Sequence, residues 1–247
     1  VNVDKKDRLG DAPERPDRPF TVVIDPGHGG IDGGARAVDG TAEKDITLTF
    51  SKVLEAQLEE SGRYNVFLTR DDDTFLRLDE RVGIARQHEA DLFISIHADT
   101  INIKNISGAT VYTISEKASD NLAKAAAERE NLADSMAGIE IAEENQQVAD
   151  ILFDLVRRET HGFSVSFARS LVGELSDTIE LINNPQRSAG FRVLRAPDVP
   201  SVLVELGYLS NPKDVAKLED PEWREKAARS IGAAIAIFAD AKVGAGG

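Results

Sequence analysis

Two of the four histidines in this chain stand where a strand is expected to end. His28 follows the apolar run FTVVID at 20–25, and His97 directly follows the run LFISI. In open α/β sheets, ligands bind in the crevice outside the carboxyl ends of the strands, so both imidazoles are expected at one sheet edge. Because neutral imidazole is the commonest metal ligand, the two positions indicate a metal site.

Carboxylates are the next ligands to expect, because the chain contains no cysteine. Glu43 lies at the start of a predicted helix, just after the glycine-rich loop that carries His28, and is the best third ligand. The alternative for Glu43 is a first-turn acid that the helix dipole stabilises. Glu205 interrupts the apolar run SVLVELGYLS, where an unpaired buried carboxylate costs several kcal/mol or stays protonated. Glu205 is therefore a candidate fourth ligand or general base.

Two histidines and one glutamate with an open fourth position form the ligand set of a catalytic zinc site. Such a zinc ion polarises a scissile carbonyl and activates water, while a nearby carboxylate moves the proton. Neither His88 nor His161 has a matching context, and both are predicted to be solvated or to cap a helix. The glycine-rich loop lacks the spacing and the lysine of a phosphate-binding loop.

The elements that must position these residues alternate between strands and helices. Strands are predicted at 20–25, 64–69, 91–99, 107–115, 191–196 and 201–210, and helices at 46–60, at 78–90 and from Pro221 onward. This alternation predicts a single α/β domain with a mainly parallel twisted sheet of about six strands and helices on both faces.

One stretch breaks the alternation. From about 116 to 172 the sequence contains only helix formers, with a break at Gly138, which predicts a helical insertion that acts as a lid or regulatory element or adds a plain helical layer. The charged, proline-bearing residues 1–19 predict a linker, residues 20–240 the catalytic domain, and residues 241–247 a flexible tail.

Composition excludes some partners. The 247 residues carry a formal net charge of -14, which argues against nucleic acid, because phosphate binding needs a basic surface. No apolar run approaches the roughly 20 residues that span a bilayer. We expect no membrane insertion and a monomer.

At four segments the sequence resembles the zinc-dependent N-acetylmuramoyl-L-alanine amidases of the bacterial division type, the Amidase_3 family. The segments are VVIDPGHGGIDGGA with His28, AEKDITL with Glu43, FISIHAD with His97 and VLVELGYLSN with Glu205. The resemblance implies that the first three residues bind zinc and that Glu205 is the catalytic acid/base. It also implies cleavage of the amide between the lactyl group of N-acetylmuramic acid and the L-alanine of the peptidoglycan stem peptide.

The insertion resembles that of the Gram-negative, periplasmic members that separate daughter cells. There it is an autoinhibitory helix, displaced by LytM-domain activator proteins, and an upstream wall-targeting domain normally precedes the catalytic domain. We expect that domain to be missing here, in agreement with the linker-like start. An acidic side chain is the obvious means of blocking zinc's open position. We favour Glu130, on a helix face with few apolar neighbours, over its rivals Glu128, Glu140 and Glu144.

Other functions remain open from the residues alone, since ligands do not name a substrate. A zinc peptidase or deacetylase uses the same ligand set. A non-catalytic wall-binding module usually lacks the catalytic acid, whereas Glu205 and the three ligands are all present. A carboxylate-pair glycosidase leaves both histidines unexplained.

Overall fold

The computed structural model describes residues 18–101, 106–136 and 151–244. In these ranges the strands are β1 (Phe20–Pro26), β2 (Tyr64–Leu68), β3 (Leu92–His97), β4 (Ala109–Ile114), β5 (Leu181–Ala189) and β6 (Ser201–Glu205). The helices are α1 (Glu43–Glu60), α2 (Leu78–Gln87), α3 (Asn121–Glu130), α4 (Ala133–Met136), α5 (Ile151–Ser176), α6 (Pro212–Glu219) and α7 (Pro221–Gly244). A 3₁₀ turn spans Arg192–Leu194.

The strands form one six-stranded sheet in the order β2-β1-β3-β6-β4-β5. Neighbouring strands are parallel except β4 and β6, which are antiparallel. All residues of β1, β3 and β6 are buried, which is why their sequences are almost continuously apolar. The predicted α/β class and mainly parallel sheet are confirmed.

Helices cover both faces of the sheet, as expected. On one face, α1, α5 and α7 bury a large apolar core that includes Phe50, Phe167 and Ile231. On the other face, α2, α3 and the 3₁₀ turn cover a smaller core that includes Phe93 and Tyr112. His97 and Glu205 lie on this second face, because each is an even number of residues from a strand residue of the smaller core.

One predicted strand is wrong. The segment FRVLRA at 191–196 contains the 3₁₀ turn, whose apolar residues pack against α2. The strand of this region is β5, which the sequence did not indicate because it contains Asn183, Asn184 and Pro185. β5 is an edge strand, where proline is tolerated, and its register with β4 shifts between Ala109 and Val111. The strand predicted at 201–210 ends early, at Glu205.

The predicted insertion at about 116–172 extends too far along the chain. Phe167, Leu171 and Leu175 of α5 are fully buried in the large core, and α5 packs against α7 and β4. The second half of α5 is therefore the crossover helix between the parallel strands β4 and β5. Gly138, Glu140 and Glu144 lie outside the described residues.

The described residues reach only the edges of the predicted linker and tail. Of the predicted linker at 1–19, only Arg18 and Pro19 are described, and Arg18 pairs with Asp91 at 2.9 Å. Helix α7 continues to Gly244, into the predicted tail, and Lys242 donates to the Asp91 carbonyl at 3.2 Å. Within the described ranges, none of the helices has the length and apolar character to cross a membrane.

Candidate metal centre

The carboxyl ends of three adjacent strands deliver the candidate residues to one edge of the sheet. In the parallel pairing, Pro26 at the end of β1 is opposite Ile96 of β3, and His97 is opposite Glu205 of β6. His28 is the second residue after the end of β1. The strand-end prediction for the two histidines is therefore confirmed in position.

His28 is held in an orientation that leaves one ring nitrogen free. Its Nδ1 lies 2.8 Å from Asp32 Oδ2, and since a carboxylate only accepts, Nδ1 carries the hydrogen. Its buried Nε2 has no hydrogen-bond partner, although Glu43 Oε2 is 3.1 Å away. An imidazole whose second nitrogen is fixed by a carboxylate is the usual arrangement of a metal-binding histidine.

Glu43 joins the loop after β1 to the end of β3. One carboxylate oxygen, Oε2, accepts from the Ala35 backbone N–H at 2.8 Å. The other, Oε1, accepts from the Ala98 backbone N–H at 2.8 Å and lies 3.2 Å from His97 Nδ1. Burial alone raises the pKa of Glu43, but His28 and His97 bring it well below its ordinary value. An ionised carboxylate thus faces both imidazoles.

Glycine makes room for this cluster at two positions. A Cβ atom on Gly27 would lie 2.4 Å from His97 Cε1, so the loop backbone passes directly against that ring. A Cβ on Gly34, where φ is +63°, would lie 2.6 Å from His28 Cδ2 and 2.7 Å from Glu43 Oε2. The glycine-rich loop therefore curls around the cluster.

A metal ion fits these residues. One ligand atom from each of His28, Glu43, His97 and Glu130 lies within 4.8 Å of the others, and all four residues are buried. Burial alone lowers the pKa of His28, but Glu43, Glu130 and Asp32 raise it well above its ordinary value. The electrostatic field that favours a proton on this orphaned imidazole equally favours a cation.

Glu205 lies beside this cluster and is entirely buried. Its Oε2 accepts from the Asp99 backbone N–H at 2.9 Å, while Oε1 has no partner. Burial, and then the carboxylates of Asp99, Glu43 and Glu130, raise the pKa of Glu205 well above its ordinary value. A carboxyl with one fixed and one free oxygen is suited to proton transfer.

Glu130, the last residue of α3, reaches into the cluster. Its Oε2 is 3.1 Å from His97 Nδ1 and 3.6 Å from His28 Nε2. Its rival Glu128 is exposed and faces Lys124 at 3.7 Å. The face of α3 that carries Glu130 is buried but built of Ala123, Ala126 and Ala127, which is why so few large apolar residues marked it.

The other two histidines are exposed and lie apart from the cluster, with His88 stacked on Phe67 at a ring distance of 3.8 Å. Sequence reasoning missed Asp32, Asp99 and Arg129, although Asp32 follows His28 by four residues and Asp99 follows His97 by two. Their short distance from the histidines along the sequence was the signal that could have identified the two aspartates. Arg129 pairs with Asp99, with its Nε 2.9 Å from Oδ2.

Comparisons with known proteins agree with this geometry. The family model described as N-acetylmuramoyl-L-alanine amidase (Amidase_3) matches residues 22–237. The chain is 38% identical over 226 residues to the N-acetylmuramoyl-L-alanine amidase AmiC of Escherichia coli O6:H1, covering 91% of this chain and 54% of that protein. It is 39% identical over 211 residues to AmiA of Escherichia coli K12, covering 85% and 73%.

Solved structures show the same fold. The catalytic domain of CwlV, an N-acetylmuramoyl-L-alanine amidase from Bacillus (Paenibacillus) polymyxa var. colistinus, matches with a TM-score of 0.62 and 26% identity over 90% of this chain and 98% of that one. The N-acetylmuramoyl-L-alanine amidase AmiC2 of Nostoc punctiforme matches with a TM-score of 0.61 and 27% identity, over 90% of this chain and 97% of that one. This chain spans about half the length of the AmiC relative, 54%. Its matched residues include the whole histidine and glutamate cluster, and the chain belongs to the Amidase_3 family of N-acetylmuramoyl-L-alanine amidases.

Proposed function

We propose that this chain is a zinc-dependent hydrolase that cleaves the amide between N-acetylmuramic acid and the L-alanine of the peptidoglycan stem peptide. The observation that carries the proposal is the convergence of His28, Glu43 and His97 within 4.8 Å, with Glu205 buried beside them. Membership of the amidase family supports the substrate.

His28, Glu43 and His97 would hold the zinc ion. Asp32 fixes the first imidazole, and two backbone N–H groups fix the carboxylate. The ligands are thus oriented before metal binding, which lowers the cost of assembling the site. When bound, zinc supplies Lewis-acid polarisation of the scissile carbonyl and of the attacking water.

Glu205 moves the proton. Its free Oε1 accepts a proton from the water that attacks the lactyl carbonyl carbon, and delivers it to the amide nitrogen as the carbon–nitrogen bond breaks. The products are a lactyl carboxylate and a peptide with a free L-alanine amine. The raised pKa of Glu205, caused by burial, suits a group that must hold this proton between the two steps.

Glu130 keeps the enzyme inactive. Its carboxylate lies against both imidazoles and would take the metal coordination position that the substrate carbonyl requires. Burial raises the pKa of Glu130 even though the two histidines act the other way, so this acid is costly to hold here without a cation. Such a cost is consistent with a role as an internal competitor.

Polar contacts dominate the docking of the segment that carries Glu130. Arg129 pairs with Asp99, Asn131 Nδ2 donates to the Gly190 carbonyl at 2.8 Å, and Asp134 accepts from the Leu78 N–H at 3.0 Å. The apolar residues on the docked face of α3 are alanines, each of which buries little apolar area. A binding partner can therefore displace the segment without uncovering a large core.

The resemblance to the periplasmic family members that separate daughter cells supports a cellular role. We place the enzyme in the periplasm, where it splits septal peptidoglycan and is released from inhibition by a LytM-domain activator protein. In this view residues 20–240 form the catalytic domain, and α3 and α4, which precede the core helix α5, belong to its regulatory insertion. The net charge of -14 requires wall targeting to be supplied elsewhere, because an acidic chain does not dwell on an anionic surface.

The test uses the Glu130→Ala variant, in which the inhibitory carboxylate is absent. With one zinc per chain, it should release stem peptides with a free L-alanine amine from purified peptidoglycan, as identified by mass. Adding Glu205→Gln should lower the rate roughly 10²–10⁴-fold with zinc content unchanged. Adding Glu180→Gln, an exposed glutamate paired with Lys217, is the matched control and should have no effect. Undiminished activity of the Glu205 variant would refute the mechanism.

A further inference from the structure

His28 has a backbone conformation that only its surroundings can maintain. Its φ is +62°, in the left-handed region that side-chain-bearing residues rarely adopt. The next residue, Gly29, also has a positive φ, and the Thr74 carbonyl oxygen would lie 2.2 Å from a Cβ there. Such a conformation persists only where several neighbouring groups hold the backbone in place together.

The guanidinium group of Arg81, in α2, holds the loop that carries His28. Its Nη1 donates to the Pro26 carbonyl at 2.8 Å, and its Nη2 donates to the His28 carbonyl at 2.8 Å. Its Nε donates to the Leu76 carbonyl at 3.1 Å, which fixes the guanidinium plane. The side chain is only 3% exposed, so the carbonyls of Pro26 and His28 are clamped by one rigid, desolvated fork.

Arg70, which follows β2, ties the same loop to α1. Its Nε donates to the Pro26 carbonyl at 2.9 Å, and its Nη2 donates to the carbonyls of Gly27 at 2.8 Å and Lys44 at 2.9 Å. Lys44 is the neighbour of Glu43. One side chain therefore sets the distance between the backbone that carries His28 and the backbone that carries Glu43.

Asp25 balances this buried charge. Its carboxylate is fully buried and pairs with Arg81 at 2.7 Å. The hydroxyl groups of Thr69 and Ser95 also donate to it, at 2.6 Å and 2.7 Å. Buried ion pairs of this kind add little to folding stability compared with apolar packing of the same volume. Their contribution here is the geometry that they impose on the backbone carbonyls.

We propose that Arg70 and Arg81 are positioning residues that preorganise His28 and Glu43 for the metal ion. The inference rests on the proposed metal site. Without the clamp the loop must be ordered at the moment of metal binding, and that ordering cost appears as weaker affinity. Among the described residues, no hydrogen bond joins either arginine to the side chain of His28 or Glu43, and the arginines reach this backbone through the carbonyls of Pro26, Gly27, His28 and Lys44.

The experiment measures zinc affinity by competition with a chromophoric chelator, and the visible spectrum after Co²⁺ substitution. Arg81→Met should weaken zinc binding about 10- to 100-fold, the usual cost of losing an outer-shell partner, and change the Co²⁺ spectrum. Arg81→Lys keeps the charge beside Asp25 and so protects folding, but one ammonium cannot hold both carbonyls. It should weaken zinc binding as well.

Phe167→Leu provides the control, because Phe167 is fully buried in the core on the opposite face of the sheet. It should lower the melting temperature while zinc affinity and the Co²⁺ spectrum stay unchanged. If Arg81→Lys and Arg70→Lys lose thermal stability but bind zinc as the parent does, the positioning role is refuted. Failure of the parent chain to bind zinc or Co²⁺ at all would instead overturn the proposed function.

Discussion

Glu130 Oε2 lies 3.1 Å from His97 Nδ1, so the end of α3 contacts an imidazole delivered by β3. The same carboxylate lies 3.6 Å from His28 Nε2. In the proposed function, a substrate carbonyl that approaches a metal ion held by these histidines would enter the volume that Glu130 fills. We therefore propose that substrate binding and docking of α3 exclude each other, so that activity depends on the fraction of molecules in which α3 is undocked.

The first prediction is that Glu130→Ala activates the enzyme. Removing the carboxylate leaves the helix without its contact to the histidines, so the undocked fraction rises. We expect peptidoglycan digestion to become about 10- to 100-fold faster. This gain corresponds to a parent protein in which α3 blocks the site in about 90–99% of the molecules. Release of soluble peptides from purified peptidoglycan measures this rate.

Glu128→Ala is the matched control, because Glu128 is two residues away on the same helix but exposed. It should digest peptidoglycan at the parent rate. If Glu130→Ala is as slow as the parent at saturating zinc, Glu130 is not the inhibitory residue.

The second prediction concerns Arg129, which anchors the same helix end to Asp99. Arg129 is 40% exposed but Asp99 only 6%, so the pair is worth more than the roughly 0.2–1 kcal/mol of a fully exposed ion pair. Because Arg129→Ala removes this anchor and leaves the Glu130 carboxylate against the histidines, it should activate digestion less than Glu130→Ala does. Lys124→Ala, which removes an exposed helix pair with Glu128, serves as the control. A gain equal to that of Glu130→Ala would mean that the ion pair, not the carboxylate at the histidines, holds α3.

Part of the site was predictable because local sequence determines it. The ends of β1 and β3 follow from short apolar runs, and the burial of Glu205 follows from its place in such a run. Glu43 was less certain, because a first-turn acid has a common alternative role. Its contacts with both histidines appear only when the loop and α1 are folded together.

Other features depend on packing that no local pattern records. The sequence of β5 is not strand-like, since an edge strand that pairs with only one neighbour, β4, can include Pro185. The pair of Arg129 with Asp99 joins residues 30 positions apart, and it depends on where α3 lies across the sheet. The core half of α5 resembled an insertion in sequence, since a crossover helix and an added helix have similar apolar spacing.

The third prediction uses two glycines with matching backbone conformations. Gly34 has φ of +63° and Gly62 has φ of +64°, so alanine at either position pays a similar strain of about 1–2 kcal/mol. Only at Gly34 would the new Cβ lie within 3 Å of His28 and Glu43, whereas nothing lies within 4 Å at Gly62. Gly34→Ala should therefore lose zinc, whereas Gly62→Ala should keep it and lose only the stability that the backbone strain costs.

Zinc content after dialysis measures metal binding, and urea denaturation measures the free energy of unfolding. Together they separate loss of the metal from loss of stability. Equal zinc content in the two variants would show that the loop can shift without disturbing the ligands.

The fourth prediction concerns pH and Asp25. Burial alone would raise the pKa of Asp25, but Arg81 and the hydroxyl groups of Thr69 and Ser95 hold it below its ordinary value. A carboxyl whose pKa is lower in the folded state stabilises the protein above its unfolded pKa, and this stabilisation is lost as pH falls through the folded pKa.

Asp25→Asn should therefore lower the free energy of unfolding by about 3–5 kcal/mol at pH 7, since Arg81 is left buried without its counter-charge. The difference between parent and variant should stay constant down to about pH 5 and shrink below about pH 4, where the carboxyl of the unfolded parent begins to bind protons. Urea denaturation of the metal-free proteins at each pH gives this difference, and titration of the metal ligands cancels because both proteins share them. A difference that grows on acidification would show that Asp25 is protonated in the native protein, and that the clamp on the His28 loop does not rest on an ion pair.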